Sequence, residues 1–135
     1  GELRTRGLRL HAAKPVTTLS EEAARALSLE IYFEFDSDRL TPEAMQQLSP
    51  VGEALASNEL SSVEFTLEGH TDAAGDADYN LTLSERRAQS VKSYFTDNYA
   101  LEPGRVEAMG KGESELIDRS NPNSGVNRRV TIIAH

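Results

Sequence analysis

The sequence has 135 residues, 38% of them hydrophobic and 27% charged, which is typical of one globular domain with a single core. Its 22 acidic and 14 basic residues give a formal net charge of −8. That charge disfavours nucleic acids and anionic membrane surfaces as partners, because both are bound through Lys and Arg. Cysteine is absent, which excludes disulfides and thiolate metal sites, and no apolar run reaches the roughly 18 residues of a membrane span.

The first 28 residues differ from the rest and are predicted to be a lead-in or linker. Residues 1–14 carry four basic side chains against one acid and show no hydrophobic period. Ser20, followed by two glutamates and an Ala-rich stretch, predicts a short capped helix inside this segment. Since the chain opens at Gly1 without an apolar signal-peptide core, any export signal, lipid anchor or membrane span is expected outside this sequence.

A strand and a helix are predicted next. Residues 29–35 (LEIYFEF) are rich in aromatic and β-branched side chains, which favours a strand. Thr41 and Pro42 are a typical helix start, with Thr at the cap and Pro at the first helical position. Apolar residues then recur every three or four positions, so the helix is expected to end near Ser57.

A second strand and a second helix follow. Residues 63–67 alternate apolar and polar side chains and predict a strand that leads into a Gly- and Asp-rich loop over 73–79. Thr82 and Glu85 have the spacing of a capping box and predict the start of a helix that frays near Asp97. The side chains expected to face the core are Leu81, Ala88, Val91 and Phe95.

Two further strands are predicted over residues 106–109 and 130–134, separated by a long polar stretch from 111 to 127. Polar loops of this length are uncommon in compact domains unless they carry function. The order of elements is therefore βαβαββ. It predicts an α+β fold in which a mixed four-stranded sheet is covered by helices.

Few residues offer catalytic or metal-binding chemistry. His70 is the one histidine away from the chain ends, and nothing near Ser84 resembles a nucleophile elbow. His70 and Asp72 are two residues apart and would share one face of a strand, but no further His or Cys follows at a ligand spacing. We therefore expect no enzyme, no metal site and no cofactor, and we expect His70 to be partly buried and hydrogen-bonded to the backbone.

Asp72 and Arg87 are the two charged residues that stand out. Asp72 directly follows the second strand, at the end of the sheet where α/β proteins commonly bind ligands. Arg87 lies at the edge of the apolar stripe of the second helix, where it is partly desolvated and needs an anion. Two interpretations are open: the two side chains form an internal ion pair, or they are held apart and bind the charges of a ligand.

Several short motifs follow one another in a characteristic order and spacing along residues 29–135. They are Phe35-Asp36-Ser37, Glu68-Gly69-His70-Thr71-Asp72 with Gly75, Tyr79-Asn80, Leu83-Ser84, Arg87-Ala88 with Val91, Gly110, Gly112-Glu113 and Asn127-Arg128-Arg129-Val130. Together they resemble one family, the OmpA-like peptidoglycan-binding domain, which occurs in OmpA-type porins, peptidoglycan-associated lipoproteins and flagellar stator subunits.

This resemblance implies that the domain binds the diaminopimelate of the peptidoglycan stem peptide. Asp72 would take the ammonium group of that ligand and Arg87 its carboxylate, with Thr71, Asn80 and Arg128 as supporting polar residues. Asp38 stands where many members of the family have a small or amide residue. It becomes a further site residue if it faces the pocket; otherwise it is a solvated loop carboxylate.

The implied function is a structural tether that holds the outer membrane, or an envelope complex, to the cell wall. The expected location is the periplasm, in association with the outer membrane. The alternative is a module on the same fold that binds other envelope proteins, with Asp72 and Arg87 as a purely structural pair. To separate these interpretations, we expect Asp72→Ala and Arg87→Ala to release peptidoglycan while leaving thermal stability nearly unchanged.

Overall fold

The structure is a computed structural model that describes residues 28–135. Its strands are β1 (Ser28–Tyr32), β2 (Phe65–His70), β3 (Val106–Gly110) and β4 (Arg129–Ala134), and its helices are α1 (Pro42–Leu55) and α2 (Ala77–Tyr99). The predicted order βαβαββ and the α+β class are confirmed. The short helix predicted from Ser20 lies outside the described residues.

The four strands form one mixed sheet, as predicted, and lie in the order β1-β4-β2-β3. β2 and β3 run parallel, whereas β4 runs antiparallel to both of its neighbours. His70, the last residue of β2, is paired with Arg129, the first residue of β4. The residues that follow β2 therefore lie beside those that precede β4, which brings Asp72 and Arg128 together at one end of the sheet.

The start of α1 follows the prediction. Thr41 is the N-cap, and its Oγ1 accepts a hydrogen bond of 3.0 Å from the amide of Ala44, while Pro42 occupies the first helical position. The cap satisfies an amide that the first turn leaves without an intrahelical acceptor. The helix ends at Leu55, two residues before the predicted end at Ser57.

The predicted start of α2 at a Thr82–Glu85 capping box is wrong. The N-cap is Asp76, whose carboxylate accepts a hydrogen bond from the amide of Tyr79, so the helix begins more than one turn earlier. Asp caps a helix as well as Thr does, and Asp78 adds a favourable negative charge to the first turn. Thr82 and Glu85 are exposed residues within the helix, and Leu81, predicted to face the core, is 45% exposed.

β1 is also shorter than predicted. Its regular pairing ends at Tyr32, and the amide of Phe33 makes one more hydrogen bond, to the carbonyl of Arg128. The chain then leaves the sheet through Asp36, which has a φ of 53°. Phe35 is 64% exposed as a result. Its aromatic character favours a strand in the sequence, but it lies at the surface beside the loop that follows β2.

The two helices cover one face of the sheet and enclose the hydrophobic core. The largest fully buried apolar side chains are Phe65, Phe95, Ile31, Leu48, Leu60, Leu67, Val63, Val91 and Val130. The opposite face of the sheet carries polar side chains, Glu68 and His70 among them. Neither helix of the described region has the length and apolar character needed to cross a bilayer.

Candidate functional site

A cavity of about 230 Å³ opens at the end of the sheet, between the loop after β2 and the first turns of α2. It contains five of the six site residues predicted from the sequence: Thr71, Asp72, Asn80, Arg87 and Arg128. The remaining lining residues are Phe35, Asp36, Ala74, Gly75, Tyr79 and Leu83. Acidic, basic and aromatic groups from four separate segments therefore converge on one opening.

Asp72 is a fixed anion in the wall of this cavity. Its side chain is almost fully buried, and Oδ1 accepts a hydrogen bond of 3.0 Å from the amide of Ala74. Oδ2 lies 3.3 Å from a terminal nitrogen of Arg128, with which it forms an ion pair. A short side chain held at both oxygens loses little conformational entropy when a ligand binds.

Arg87 is fully buried, and backbone carbonyl groups hold its guanidinium. It donates to the carbonyl oxygens of Ser37 at 2.7 Å, His70 at 3.0 Å and Glu34 at 3.0 Å. A guanidinium has five N–H groups, so two remain beyond these three bonds. The internal ion pair of Asp72 with Arg87, open as an interpretation of the sequence, is not formed; Asp72 pairs with Arg128 instead.

These contacts overturn the expectation that Arg87→Ala would leave stability nearly unchanged. Arg87 joins the segment after β1 to the end of β2, because its three acceptors lie on Glu34, Ser37 and His70. Removing it leaves the buried carbonyl of His70 without this donor, which costs about 1–3 kcal/mol, and the part-buried carbonyls of Glu34 and Ser37 lose theirs at a smaller cost. A loss of binding in Arg87→Ala therefore cannot be separated from a loss of structure, and Asp72 is the better residue to test.

Burial lowers the pKa of Arg87 to about 10, and the positive charge of Arg128 contributes in the same direction. The negative charge of Asp72 opposes these effects. Arg87 remains a cation at neutral pH, since a pKa near 10 lies well above 7. The cavity thus contains a positive charge at neutral pH to which no carboxylate of residues 28–135 is hydrogen-bonded.

Arg128 connects the site to the sheet. Its Nε donates to the carbonyl oxygen of Phe33 at 3.0 Å, and a terminal nitrogen reaches Asp72. Thr71, next to Asp72, is buried, and its hydroxyl oxygen has no hydrogen-bond partner among the described residues. Because Thr71 lines the cavity, this hydroxyl is a buried polar group in the wall of the site that lacks a partner within the described region.

Asn80 is buried in the first turn of α2 and organises the loop after β2. Its amide nitrogen lies 3.0 Å from the carbonyl oxygen of Ala74, 3.4 Å from that of Asp72 and 2.8 Å from Glu113 Oε1. The nitrogen therefore holds the loop that carries Asp72. The amide oxygen is the atom of the Asn80 side chain that is left for a ligand.

Asp38 lies outside the cavity. Its carboxylate forms an ion pair of 3.2 Å with Arg86, and both side chains are close to half exposed. It lines a separate, open groove together with Leu40, Gln89 and Ser90. The structure thus places Asp38 as a solvated loop carboxylate, which the sequence left open, and not as a wall of the predicted site.

Three residues at the rim of the cavity, two aromatic and one acidic, are not among the site residues predicted from the sequence. The hydroxyl of Tyr79 hydrogen-bonds to Asp36, and this bond is the main reason that the pKa of Tyr79 is raised. The guanidinium of Arg86 lies 5.9 Å from the Tyr79 ring centre, and Phe35 projects beside the opening. Phe35, Asp36 and Tyr79 all belong to the motifs that carry the family resemblance, which is the signal that could have identified them.

Two glycines let α2 come close enough to the sheet to carry Asn80 and Arg87 into the site. A Cβ on Gly69 would lie 1.8 Å from the carbonyl oxygen of Ser84, and one on Gly110 would lie 2.5 Å from the Ser84 hydroxyl oxygen. Gly69 and Gly110 are paired on the neighbouring strands β2 and β3. Both positions therefore exclude a side chain.

His70 is only 1% exposed, and neither the predicted partial burial nor the predicted bond to the backbone is found. Its Nδ1 is buried without a hydrogen-bond partner among the described residues. Burial is the largest cause that lowers its pKa to about 4, and the positive charge of Arg129 adds to it. The imidazole is neutral at pH 7 and points away from the cavity, whose lining does not include it.

Comparison with known proteins indicates the same family as the sequence motifs do. The sequence profile described as the OmpA family matches residues 32–129. The chain is 38% identical over 117 residues to the peptidoglycan-associated lipoprotein of Pseudomonas putida, an alignment that covers 85% of this chain and 68% of that protein. It is 34% identical over 106 residues to outer membrane porin F of Pseudomonas aeruginosa, covering 77% of this chain and 30% of the porin.

The fold is shared with solved structures. The crystal structure of the peptidoglycan-associated lipoprotein from Burkholderia pseudomallei aligns with a TM-score of 0.70 at 24% identity, covering 78% of this chain and 89% of that one. At 24% identity, this structural similarity shows a shared fold and nothing beyond the fold. The curated relatives are outer-membrane proteins and lipoproteins, which agrees with the predicted periplasmic, outer-membrane-associated location. This chain spans about two thirds of the lipoproteins and about a third of the porins.

Proposed function

Because the chain belongs to the OmpA family, we propose that its domain over residues 29–135 binds peptidoglycan non-covalently, through the diaminopimelate of the stem peptide. Residues 1–28 would serve as the lead-in or linker to the rest of the protein. Bound in this way, the domain ties the outer membrane, or an envelope complex, to the cell wall. The proposed role is structural, without catalysis and without a cofactor.

One observation carries this proposal: an anion and a cation face one open cavity without a direct bond between them. Asp72 and Arg87 both line the cavity. The free end of diaminopimelate is a zwitterion, with an ammonium group and a carboxylate on the same carbon. Such an end group needs one fixed negative and one fixed positive charge, a ligand's width apart.

The chemistry of each side chain fits one half of the ligand. The Asp72 carboxylate accepts hydrogen bonds from the ammonium, and the Thr71 hydroxyl lies next to it in the chain. The two N–H groups of Arg87 that are not bonded to carbonyls suit the carboxylate, since a guanidinium gives paired, charge-assisted bonds. Its three bonds to the backbone fix the guanidinium in place before the ligand arrives.

The affinity for a single stem peptide should be modest. Each hydrogen bond to a charged group contributes about 1.5–3 kcal/mol, and the cost of association offsets part of this. The expected dissociation constant of a soluble fragment is roughly micromolar to millimolar. Weak single contacts suit a tether, because the cell wall presents many copies of the stem peptide.

The alternative is a module that binds other envelope proteins, with Asp72 and Arg87 as a structural pair. The contacts support it less well, because Asp72 is bonded to Arg128 and Arg87 to carbonyl groups, so the two do not pair with each other. Other envelope proteins remain possible partners at surfaces away from the cavity.

The decisive experiment compares Asp72→Asn with Asp76→Asn in a pull-down on insoluble peptidoglycan. Each variant removes one negative charge from the same loop. Asp76 is exposed, lies outside the cavity and caps α2, a role that Asn fills equally well. We expect Asp76→Asn to be retained like the wild type and Asp72→Asn to stay in the supernatant. Equal retention of the two variants would contradict the proposal.

A second experiment varies the ligand. A soluble stem peptide with lysine in place of diaminopimelate keeps the side-chain ammonium but lacks the carboxylate beside it. We expect the wild-type domain to bind the diaminopimelate peptide at least about tenfold more tightly in calorimetry, since one lost charged bond costs about 1.5–3 kcal/mol. Equal affinities would show that Arg87 does not take the carboxylate.

A further inference from the structure

A second group of chemistry-bearing side chains lies on the polar face of the sheet, apart from the cavity. Glu68 and His70 are two residues apart on β2, and Glu115 from the loop over residues 111–127 comes close to them. We propose that Glu68, His70 and Glu115 form a binding site for a divalent metal ion of the zinc type. The proposal does not depend on peptidoglycan binding.

The geometry suits one ion. One ligand atom from each of the three side chains lies within 4.8 Å of the other two. His70 Nε2 is 3.8 Å from Glu68 Oε1. In a tetrahedral site with metal–ligand distances near 2.0–2.2 Å, ligand atoms are about 3.4 Å apart. Small side-chain rotations of the two glutamates would bring all three atoms to that spacing.

His70 supplies an independent reason to expect a ligand. The side chain is 1% exposed, and its Nδ1 makes no hydrogen bond within residues 28–135. Its Nε2 is directed at the Glu68 carboxylate from a distance too long for a hydrogen bond. Buried polar groups nearly always have a partner. A cation between Nε2 and the Glu68 carboxylate would give that nitrogen a partner, while Nδ1 would still lack one within the described residues.

The donor set indicates the class of ion. One imidazole nitrogen and two carboxylate oxygens are ligands that zinc accepts, and they leave a fourth position for water. Magnesium and calcium prefer oxygen ligands alone, so the buried imidazole disfavours them. The sequence around His70 contains no third ligand at a suitable spacing. Glu115 becomes the third ligand only because the folded loop brings it to Glu68 and His70.

The neighbouring charges permit a cation here. Lys111 Nζ lies 3.6 Å from Glu115 Oε2, an exposed pair that a divalent ion can displace at little cost. Arg129, the other nearby cation, lies beside Glu30, with Nε and Oε1 3.0 Å apart, which offsets part of its positive charge. A metal ion would therefore replace the ammonium as the counter-ion of Glu115.

Binding would fasten the long loop to the sheet, because Glu115 belongs to the loop and the other two ligands to β2. The same loop reaches the cavity through hydrogen bonds of 2.9 Å from the amide of Thr71 to the carbonyl of Gly112 and from that of Ala73 to Pro122. The expected consequence is a more stable fold in the presence of the ion.

The test measures zinc binding and melting temperature for the full chain, stripped of metal, as wild type, Glu115→Gln and Glu107→Gln. Glu115 and Glu107 are both exposed, so neither substitution should unfold the domain. Glu107 lies on β3 and is not one of the three proposed ligands. The histidines near the chain ends are present in every variant, so any zinc that they bind cancels in the comparison.

We expect zinc at about 100 times its dissociation constant to raise the melting temperature of the wild type and of Glu107→Gln by roughly 10 °C. Magnesium at the same concentration should not. Glu115→Gln should bind zinc about tenfold more weakly or worse, since even outer-shell partners of a ligand are worth 10–100-fold. X-ray absorption spectroscopy at the zinc edge, on the wild type with one equivalent of zinc, should show one imidazole ligand. The substitution His70→Gln should remove that ligand. Equal affinity of wild type and Glu115→Gln, or no shift in the wild type, would overturn the proposal.

Discussion

Asp72 and Arg128 form an ion pair of 3.3 Å across the junction of β2 and β4, although 56 residues separate them in the chain. The register of the sheet brings them together, because His70 is paired with Arg129 and the chain continues past the sheet from both. Arg87, which the sequence suggested as the counter-ion of Asp72, is held by carbonyl groups instead. The site therefore has two guanidinium groups with different partners.

A double-mutant cycle on Asp72→Asn and Arg128→Gln should show direct coupling in stability. Both side chains are mostly buried, and residues that share an ion pair typically couple by about 0.5–3 kcal/mol. Chemical denaturation of the two single variants and the double variant measures this energy. A matching cycle on Asp72→Asn and Arg87→Met should give the smaller value; a larger one would mean that Asp72 pairs with Arg87.

Arg87→Met should lower the free energy of unfolding by about 1–3 kcal/mol or more, because the buried carbonyl of His70 and two part-buried carbonyls lose their donor. Arg86→Met, one position earlier, is the matched control. Its side chain is 46% exposed, pairs with the half-exposed Asp38 and lies over the exposed Tyr79 ring, so the cost should be small. Urea unfolding of both variants distinguishes them, and similar losses would argue against a structural role of Arg87.

Gly69→Ala should destabilise the domain by about 1–3 kcal/mol or more, since the added Cβ would lie 1.8 Å from the carbonyl oxygen of Ser84. It should also weaken retention on peptidoglycan, because α2 carries Asn80 and Arg87. Gly104→Ala is the control: a Cβ at that position would meet no atom within 4 Å and should be tolerated. Thermal melting and the pull-down together report both effects. A melting curve for Gly69→Ala like that of Gly104→Ala would show that the close contact of α2 with β2 can relax freely.

Asn127→Ala should loosen the long loop over residues 111–127. The Asn127 side chain is fully buried, accepts a hydrogen bond of 2.9 Å from the amide of Asp118 and donates to carbonyl oxygens of Asn121 and Pro122 at 3.2 Å. We expect a loss of about 1–3 kcal/mol and faster amide exchange at Asp118. Asn123→Ala changes an exposed residue of the same loop and should have little effect. Unchanged exchange at Asp118 in Asn127→Ala would contradict this role.

The sequence by itself determined the class of fold and most of the charged and polar side chains of the site. Periodicity located all four strands and α1 within about three residues at each end, because side-chain patterns of two and 3.6 residues follow directly from backbone geometry, whereas the start of α2 was missed by more than one turn. Local sequence patterns predicted the structure correctly where the hydrogen bond joins residues close in the chain, as at the Thr41 N-cap. The family motifs identified five residues that line the cavity.

Local patterns failed where a polar residue is buried. α2 begins at Ala77 because its inward face continues through Asn80, Ser84 and Arg87, which are polar side chains that a hydrophobic pattern treats as exposed. Their burial depends on acceptors far away in the chain, such as the carbonyl of Glu34 for Arg87.

Only the tertiary structure determined which charged side chains lie next to each other. It paired Asp72 with Arg128, moved Asp38 away from the cavity to Arg86, and brought Glu115 to His70. The physical reason is that charged side chains have no periodicity of their own. Their partners are set by the strand register and by the path of the loops, and these are fixed only when the whole core is packed.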